Sequence, residues 1–242
     1  SRHIYAFTDI FTLDAVSGSI FTKAKIIVNE SLSGYIGSDV LAGATCLKLH
    51  NSDRYNMLID LGTNGEMMLT NRNRGLCTST ACGPAFDKAL VYSYGSNVID
   101  ILARCLRNRL INKQGLIVKR FMKTGIPAEH NVFITEEVIR DIQLAKAAIY
   151  TGITSLIKEL GIDYEAIDKV YIAGGFGFYL DIENAIYIGM LPKELRDKYT
   201  VVGNTSLLGA RQAGIRYVEN TLVKDNNIYK EEDLIDILDT FN

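Results

Sequence analysis

The chain has 242 residues, 48% hydrophobic and 22% charged, which is the profile of a globular protein able to bury a core. A net charge of −2, with acids and bases mixed along the length, provides no basic stripe and so argues against nucleic acid as a partner. No apolar run is long enough to span a bilayer and no signal-peptide pattern is present, so the expectation is a cytoplasmic protein without a membrane partner.

The chain begins at Ser1 and enters Ile4-Tyr5-Ala6-Phe7 without a polar leader, which reads as an excised or processed piece. Residues 24 to 28 form a short β-branched run expected to be a strand, and Tyr35 to Leu47, with Gly34, Gly37 and Gly43, reads as a closely packed small-residue helix. Asn56 to Asp60 and Glu66 to Thr70 are two strand-like runs around Leu61-Gly62-Thr63-Asn64-Gly65, a hairpin candidate with Asn-Gly at its tip. A third run, Leu76 to Thr80, leads to Cys82-Gly83-Pro84-Ala85, where proline after glycine suits a turn opening a helix. Val98 to Ile111 is predicted helical.

The clearest helix starts at Thr135, an N-cap followed by Glu136 and Glu137, and carries Val138, Ile142, Ala145, Ile149, Ile153, Leu156 and Leu160 on one face until Gly161 stops it. Lys169 to Ala173 reads as a buried strand running into Gly174-Gly175-Phe176-Gly177. Asp181 then opens a helix that ends near Gly189 and Pro192. Thr200 to Val202 is a further strand, followed by Gly203-Asn204-Thr205 and a helix through Ala213. Tyr229 to Phe241 mixes acids with Leu234, Ile235, Ile237 and Leu238 as a surface helix would. Strand, turn and helix alternate, so the fold class is α/β.

Two glycine-bearing turns follow apolar strands, one at Asp60 to Gly65 and one at Gly174 to Gly177. Glycine removes the side chain that would keep a ligand from the backbone, so amide groups in such turns can point at phosphate oxygens. Asp60 is placed to hold a water of Mg²⁺, with Thr63 and Asn64 adding contacts to phosphate. The bland alternatives are a plain Asn-Gly hairpin and tight strand-helix packing. Glu66 either orients a water for hydrolysis or faces solvent. Asp181 reads as an N-cap, and Cys82 as a partly buried, unreactive thiol. Cys46, Cys77, Cys82 and Cys105 form no C-x-x-C pair, and His3, His50 and His130 lie far apart, which argues against a zinc or iron-sulfur site within the chain.

The residues Ile59-Asp60-Leu61-Gly62-Thr63-Asn64-Gly65-Glu66 resemble a phosphate motif of the actin, sugar-kinase and heat-shock ATPase superfamily, and Tyr171-Ile172-Ala173-Gly174-Gly175-Phe176 resembles its adenosine motif. Ser33 to Asp39, Ala81-Cys82-Gly83-Pro84-Ala85-Phe86, Gln143 to Ile149, Ala173 to Asp181 and Val202-Gly203-Asn204-Thr205 are similar to the reductive activators of corrinoid enzymes, in the same order. The resemblance implies an RNase H-like, actin-like ATPase lobe with a mixed sheet flanked by helices. Residues 1-50 would be the end of the first lobe, and 51-242 the second lobe with its C-terminal helix.

For the site, the resemblance implies ATP with Mg²⁺ held through water. Asp60 and Glu66 would be the catalytic carboxylates, and Gly62, Thr63, Asn64 and Gly65 would lie at the phosphates. Gly174, Gly175 and Phe176 would pass the adenosine. Gln143 and Lys146, three apart on the long helix, either flank adenine and ribose or belong to a solvated face. Asn204 either caps its helix or lines the adenosine pocket.

The activity implied is ATP-driven reduction of cob(II)amide to cob(I)amide on a corrinoid protein, with the electron coming from a 2Fe-2S domain that is not in this chain. The superfamily's first phosphate loop would lie upstream as well. The chain departs from the family between Phe86 and Tyr94, where Asp87 to Ser93 replaces a longer glycine-rich segment. The competing reading is a non-catalytic module for dimerisation or partner docking. An activator of acyl-CoA dehydratases and a small-molecule kinase are the other readings on fold grounds.

Overall fold

The computed structural model describes residues 10–12, 25–27, 36–82, 97–128 and 133–224. In chain order these form β1 (Ile10–Thr12), β2 (Lys25–Ile27), α1 (Ser38–Cys46), β3 (Tyr55–Leu61), β4 (Gly65–Thr70), β5 (Gly75–Thr80), α2 (Asn97–Arg107), β6 (Ile126–Pro127) and β7 (Phe133–Ile134). There follow α3 (Glu136–Leu160), β8 (Ile167–Ala173), α4 (Gly174–Gly177), α5 (Ile182–Tyr187), β9 (Tyr199–Gly203) and α6 (Thr205–Lys224). The expected turn opening at Pro84 and the expected helix from Tyr229 to Phe241 lie outside the described residues.

The main sheet has the order β5-β4-β3-β8-β9. Its first three strands are an antiparallel meander, in which Asp60 pairs with Glu66 and Met68 with Cys77. The long α3 crossover brings the chain back so that β8 runs parallel to β3, with Asp60 opposite Ala173, and β9 parallel to β8. β3 is central and covered on both faces, which is why it reads as the near-continuous run Met57-Leu58-Ile59 rather than as an alternating strand.

One face buries Met57, Ile59, Leu61 and Met67 beneath Ile142, Ile149 and Ile153 of α3. The crossing is close, because a Cβ on Gly152 would stand 2.8 Å from the Met67 sulfur. The opposite face buries Leu58, Met68 and Ala173 beneath Val40 and Ala44 of α1. There α1 and α6 touch through small residues: a Cβ on Gly209 would collide with the Ala42 backbone, and one on Gly43 would stand 2.7 Å from the Thr205 hydroxyl.

The ends of α3 follow from its sequence. The Thr135 hydroxyl accepts from the Val138 amide at 3.3 Å, and Gly161 closes the helix in the left-handed region at φ 66°. Two helices differ from their predicted lengths. α2 stops at Arg107 instead of Ile111 because Arg109 turns into the left-handed region at φ 55°. The Leu110 amide then donates to Cys105 O and the Arg109 amide to Leu106 O, the paired bonds of a Schellman closure, with arginine where glycine is usual. That backbone costs an L-residue about 1 kcal/mol or more. α6 runs past Ala213 to Lys224, with Gly214 carried inside the helix.

The two glycines of α6 separate packing from propensity. Gly209→Ala is expected to lose about 1–3 kcal/mol by pushing α1 off α6. Gly214→Ala, where a Cβ meets nothing within 4 Å, should gain about 0.5–1 kcal/mol. Urea unfolding midpoints of the two variants check the opposite signs.

Candidate functional site

β3, β8 and β9 are parallel, so their carboxyl ends, Leu61, Ala173 and Gly203, and the turns after them leave the sheet along one edge. Such an edge is where open α/β sheets receive ligands. The two turns singled out in the sequence meet there. Gly174 has φ 87°, and a Cβ on it would strike Leu61 O and stand 2.5 Å from Asp60 Oδ1, so backbone conformation and space both demand glycine. At Gly175 a Cβ would meet nothing within 4 Å, and at Gly62 only Asn64 O at 4.0 Å, so the backbone of both turns is open to approach.

The hairpin tip differs from the expected Asn-Gly pair. Its loop is Gly62-Thr63-Asn64, all exposed, closed by the Gly62 amide donating to Asn64 O at 2.9 Å, and neither Asn64 nor Gly65 takes a positive φ. Gly65 starts β4 and is needed for space, since a Cβ there would stand 2.8 Å from Thr80 Oγ1 and 3.0 Å from Cys82 Sγ.

Asp60 is half-buried, and by strand alternation it lies on the α1/α6 side of the sheet with Leu58. Burial pushes its carboxyl above the ordinary 3.8; the Ser206 hydroxyl, donating to Oδ2 at 3.3 Å, opposes this, and the charge of Asp39 adds to it. Glu66, directly across on β4, is also raised, first by burial and then by Asp39, while a hydrogen bond from the Asn64 side chain opposes the shift and Asp60 adds to it. The edge therefore collects three mutually repelling carboxylates with no ion pair to a described basic residue. No group of three or more His, Cys, Asp or Glu among the described residues forms a metal site by itself. That fits a hydrated Mg²⁺, which takes few carboxylates and completes its shell with water and phosphate oxygens.

Asp39 and Ser206 were not recognised in the sequence as site residues. Each sits in the first turns of its helix, and only the packing of α1 and α6 on the sheet brings them to Asp60.

Gln143 and Lys146 lie elsewhere. They line a cavity of about 890 Å³ bounded by α2, residues 109–118, α3 and α5, which none of Gly174, Gly175 and Phe176 reaches. Gln143 Nε2 donates to Gln114 O at 2.9 Å and Lys146 Nζ to Ile188 O at 2.5 Å; burial lowers the lysine's pKa. Phe176 packs partly buried against the core. Asn204 Oδ1 accepts from the Leu207 amide at 2.9 Å, the capping role, and Asp181 caps α5 through the Asn184 amide at 2.8 Å. Burial lifts the Cys82 thiol to about 11, so it is not a thiolate at neutral pH. No helix among the described residues is long and apolar enough to cross a membrane.

Sheet order and edge define this as a lobe of the actin-like ATPase class, and a solved structure described as a reductive activator for corrinoid, iron-sulfur protein superposes with a TM-score of 0.72. It is 31% identical and covers 84% of this chain and 41% of its own. The chain belongs to the family described as the C-terminal domain of RACo, the ASKHA domain, whose model matches residues 54–93 and 94–228. The two matched segments meet between Ser93 and Tyr94.

Among curated proteins, the corrinoid activation enzyme RamQ of Eubacterium limosum is 31% identical over 245 residues, 78% of this chain and 41% of that protein. A [Co(II) methylated amine-specific corrinoid protein] reductase of Methanosarcina barkeri is 26% identical over 266 residues, 87% of this chain and 48% of that protein. The chain thus spans less than half the length of both relatives.

The raised carboxyl of Asp60 sets the sign of a pH effect. A raised folded-state pKa means that the protonated form is favoured in the fold, so its stabilisation is present below the ordinary 3.8 and lost as pH rises through the folded value. Asp60→Asn is therefore expected to melt a few degrees higher than the parent at pH 7 without Mg²⁺, with the difference closing below pH 3.8. Thermal melts across pH check it.

Proposed function

We propose that this chain is the second lobe of an ATP-dependent reductive activator that returns an oxidised corrinoid cofactor from cob(II)amide to cob(I)amide. The reduction adds one electron to cobalt. That electron would come from a reduced 2Fe-2S domain outside this chain, which would be oxidised in turn. The observation that carries the reading is the β3–β8 register, which sets the Asp60 carboxylate against Gly174 at the shared strand edge in a chain of the RACo C-terminal family. The printed descriptions of the relatives, a corrinoid activation enzyme and a corrinoid protein reductase, supply the substrate class.

In this reading Asp60 holds the water shell of Mg²⁺, and Glu66 orients a water across the strand pair. Gly62, Thr63, Asn64 and Gly65 would present backbone and side-chain donors to phosphate, and Gly174, Gly175 and Phe176 would pass the adenosine. ATP held there with Mg²⁺ would supply the free energy for the uphill electron transfer. Asn204 caps the helix beside it, and Gln143 and Lys146 line a cavity apart from both turns. Residues 51–242 form the lobe proper, with the chain before residue 50 leading from the first lobe. α1, from that leading stretch, packs on the lobe's sheet and brings Asp39 with it. The corrinoid protein is the partner, the compartment is the cytoplasm, and a homodimer fits the exposed Phe178 and Tyr179, which are 54% and 58% accessible beside Gly203.

Calorimetry with Mg-ATP on the intact polypeptide tests this. Micromolar binding is expected, weakened at least about ten-fold, or ~1.4 kcal/mol, by Asp60→Ala and by Gly174→Val. Absence of binding by the unmutated protein would transfer the chain to the docking or dimerisation reading.

A further inference from the structure

The cavity beside Gln143 and Lys146 has a wall held in place by its own bonds. Residues 110–118 form a tight hairpin in which Ile111 bridges Ile117, and Asn112 Oδ1 accepts from the amides of Gln114 at 3.0 Å and Leu116 at 2.9 Å. The hairpin is pressed on α3: a Cβ on Gly115 would stand 2.9 Å from Ile139 Cγ2, and Gln143 donates to Gln114 O. The hollow of about 890 Å³ is therefore pre-formed and of small-molecule size. Its lining has two parts. Leu102, Ile117 and Ile142 are buried and apolar, whereas Arg109, Lys113 and Lys146 bring three positive charges and no lining residue is acidic. None of the three cations forms an ion pair with a described residue, and the half-buried Lys146 ammonium has a neutral carbonyl as its hydrogen-bond partner. Charges of one sign around apolar walls focus their field on whatever enters. Arg109 adds an independent sign. It occupies the left-handed closing position of α2, where glycine is usual, and it lines the cavity. Backbone strain kept at a ligand-sized hollow points to a use for that side chain.

We propose that this cavity binds an amphipathic organic anion, with its apolar body against Leu102, Ile117 and Ile142 and its carboxylate or phosphate head held by Arg109, Lys113 and Lys146. The ligand stays on the α3 side of the sheet, and the inference goes beyond the nucleotide reading without resting on it. Each half of the lining has its own task. Burial of the body against the apolar residues drives entry, and the cations without a counter-charge select the head. Arginine pairs with a carboxylate or a phosphate through two parallel donors, which separates an anion from a neutral molecule of the same length.

The test titrates octanoate, octyl phosphate and the neutral octanamide into the intact polypeptide by calorimetry, and follows the Ile117 and Ile142 methyl resonances by NMR. At least one of the two anions should bind about ten-fold or more tighter than octanamide and shift both methyls. A preference between the two anions, in either direction, upholds the proposal and identifies the head. Arg109→Gly should weaken the anion about ten-fold, leave octanamide unchanged and hold or raise the melting temperature, because glycine relieves the backbone. Lys113→Gln, at an exposed side chain, should weaken the anion in the same direction with the melting temperature kept. Equal affinity for anions and amide, anion binding that leaves both methyls unmoved, or a preference that survives both substitutions overturns the proposal.

Discussion

The parallel pairing of β3 with β8 is the constraint on which the rest depends. It joins segments more than a hundred residues apart, and its register sets Asp60 opposite Ala173, so that the chain leaving β8 passes over the Asp60 carboxylate. Only a residue without a Cβ, held at positive φ, can make that passage, which is why Gly174 is glycine. Once this pair is formed, the meander on one side and β9 on the other have their positions. The long α3 is the crossover that the parallel pair requires.

A second close approach depends on the first. α1 and α6 lie on the Asp60 side of the sheet and meet where Ala42 faces Gly209 and Gly43 faces Thr205. Larger residues would part the helices and withdraw Asp39 and Ser206 from Asp60. Hydrophobic packing at Leu58, Met68 and Val40 thereby offsets the cost of gathering carboxylates that repel one another. The edge is poorly arranged for stability by itself, since burial and mutual repulsion both raise the Asp60 carboxyl.

The two faces of the sheet divide the site. Asp60 and Glu66 belong with α1 and α6, whereas Gln143 and Lys146 belong with α3 and open into the cavity beside α2 and α5. A ligand that engages both sets has to pass around the carboxyl edge, where Gly62 and Gly175 leave the backbone bare.

Much of the fold was legible in the sequence, because it is written in local signals. Apolar runs marked the five main strands, Thr135 and Gly161 bracketed α3, and glycines after strands marked both turns. α2 was read too long because its apolar pattern continues into Leu110 and Ile111 after Arg109 has already turned the backbone. α6 was expected only through Ala213 and runs on to Lys224, because a glycine inside a helix carries a cost small enough for the rest of the helix to absorb. The sequence by itself determined the five strands of the main sheet, the long helix α3 and the glycines that turn them. Only the tertiary structure decided that Asp39 and Ser206 reach Asp60, that Gly65 is required by Thr80 and Cys82 instead of by a turn, and that Lys146 shares a cavity with Arg109. Those facts depend on which surfaces of distant segments touch, and residue spacing along a chain carries no information about that distance.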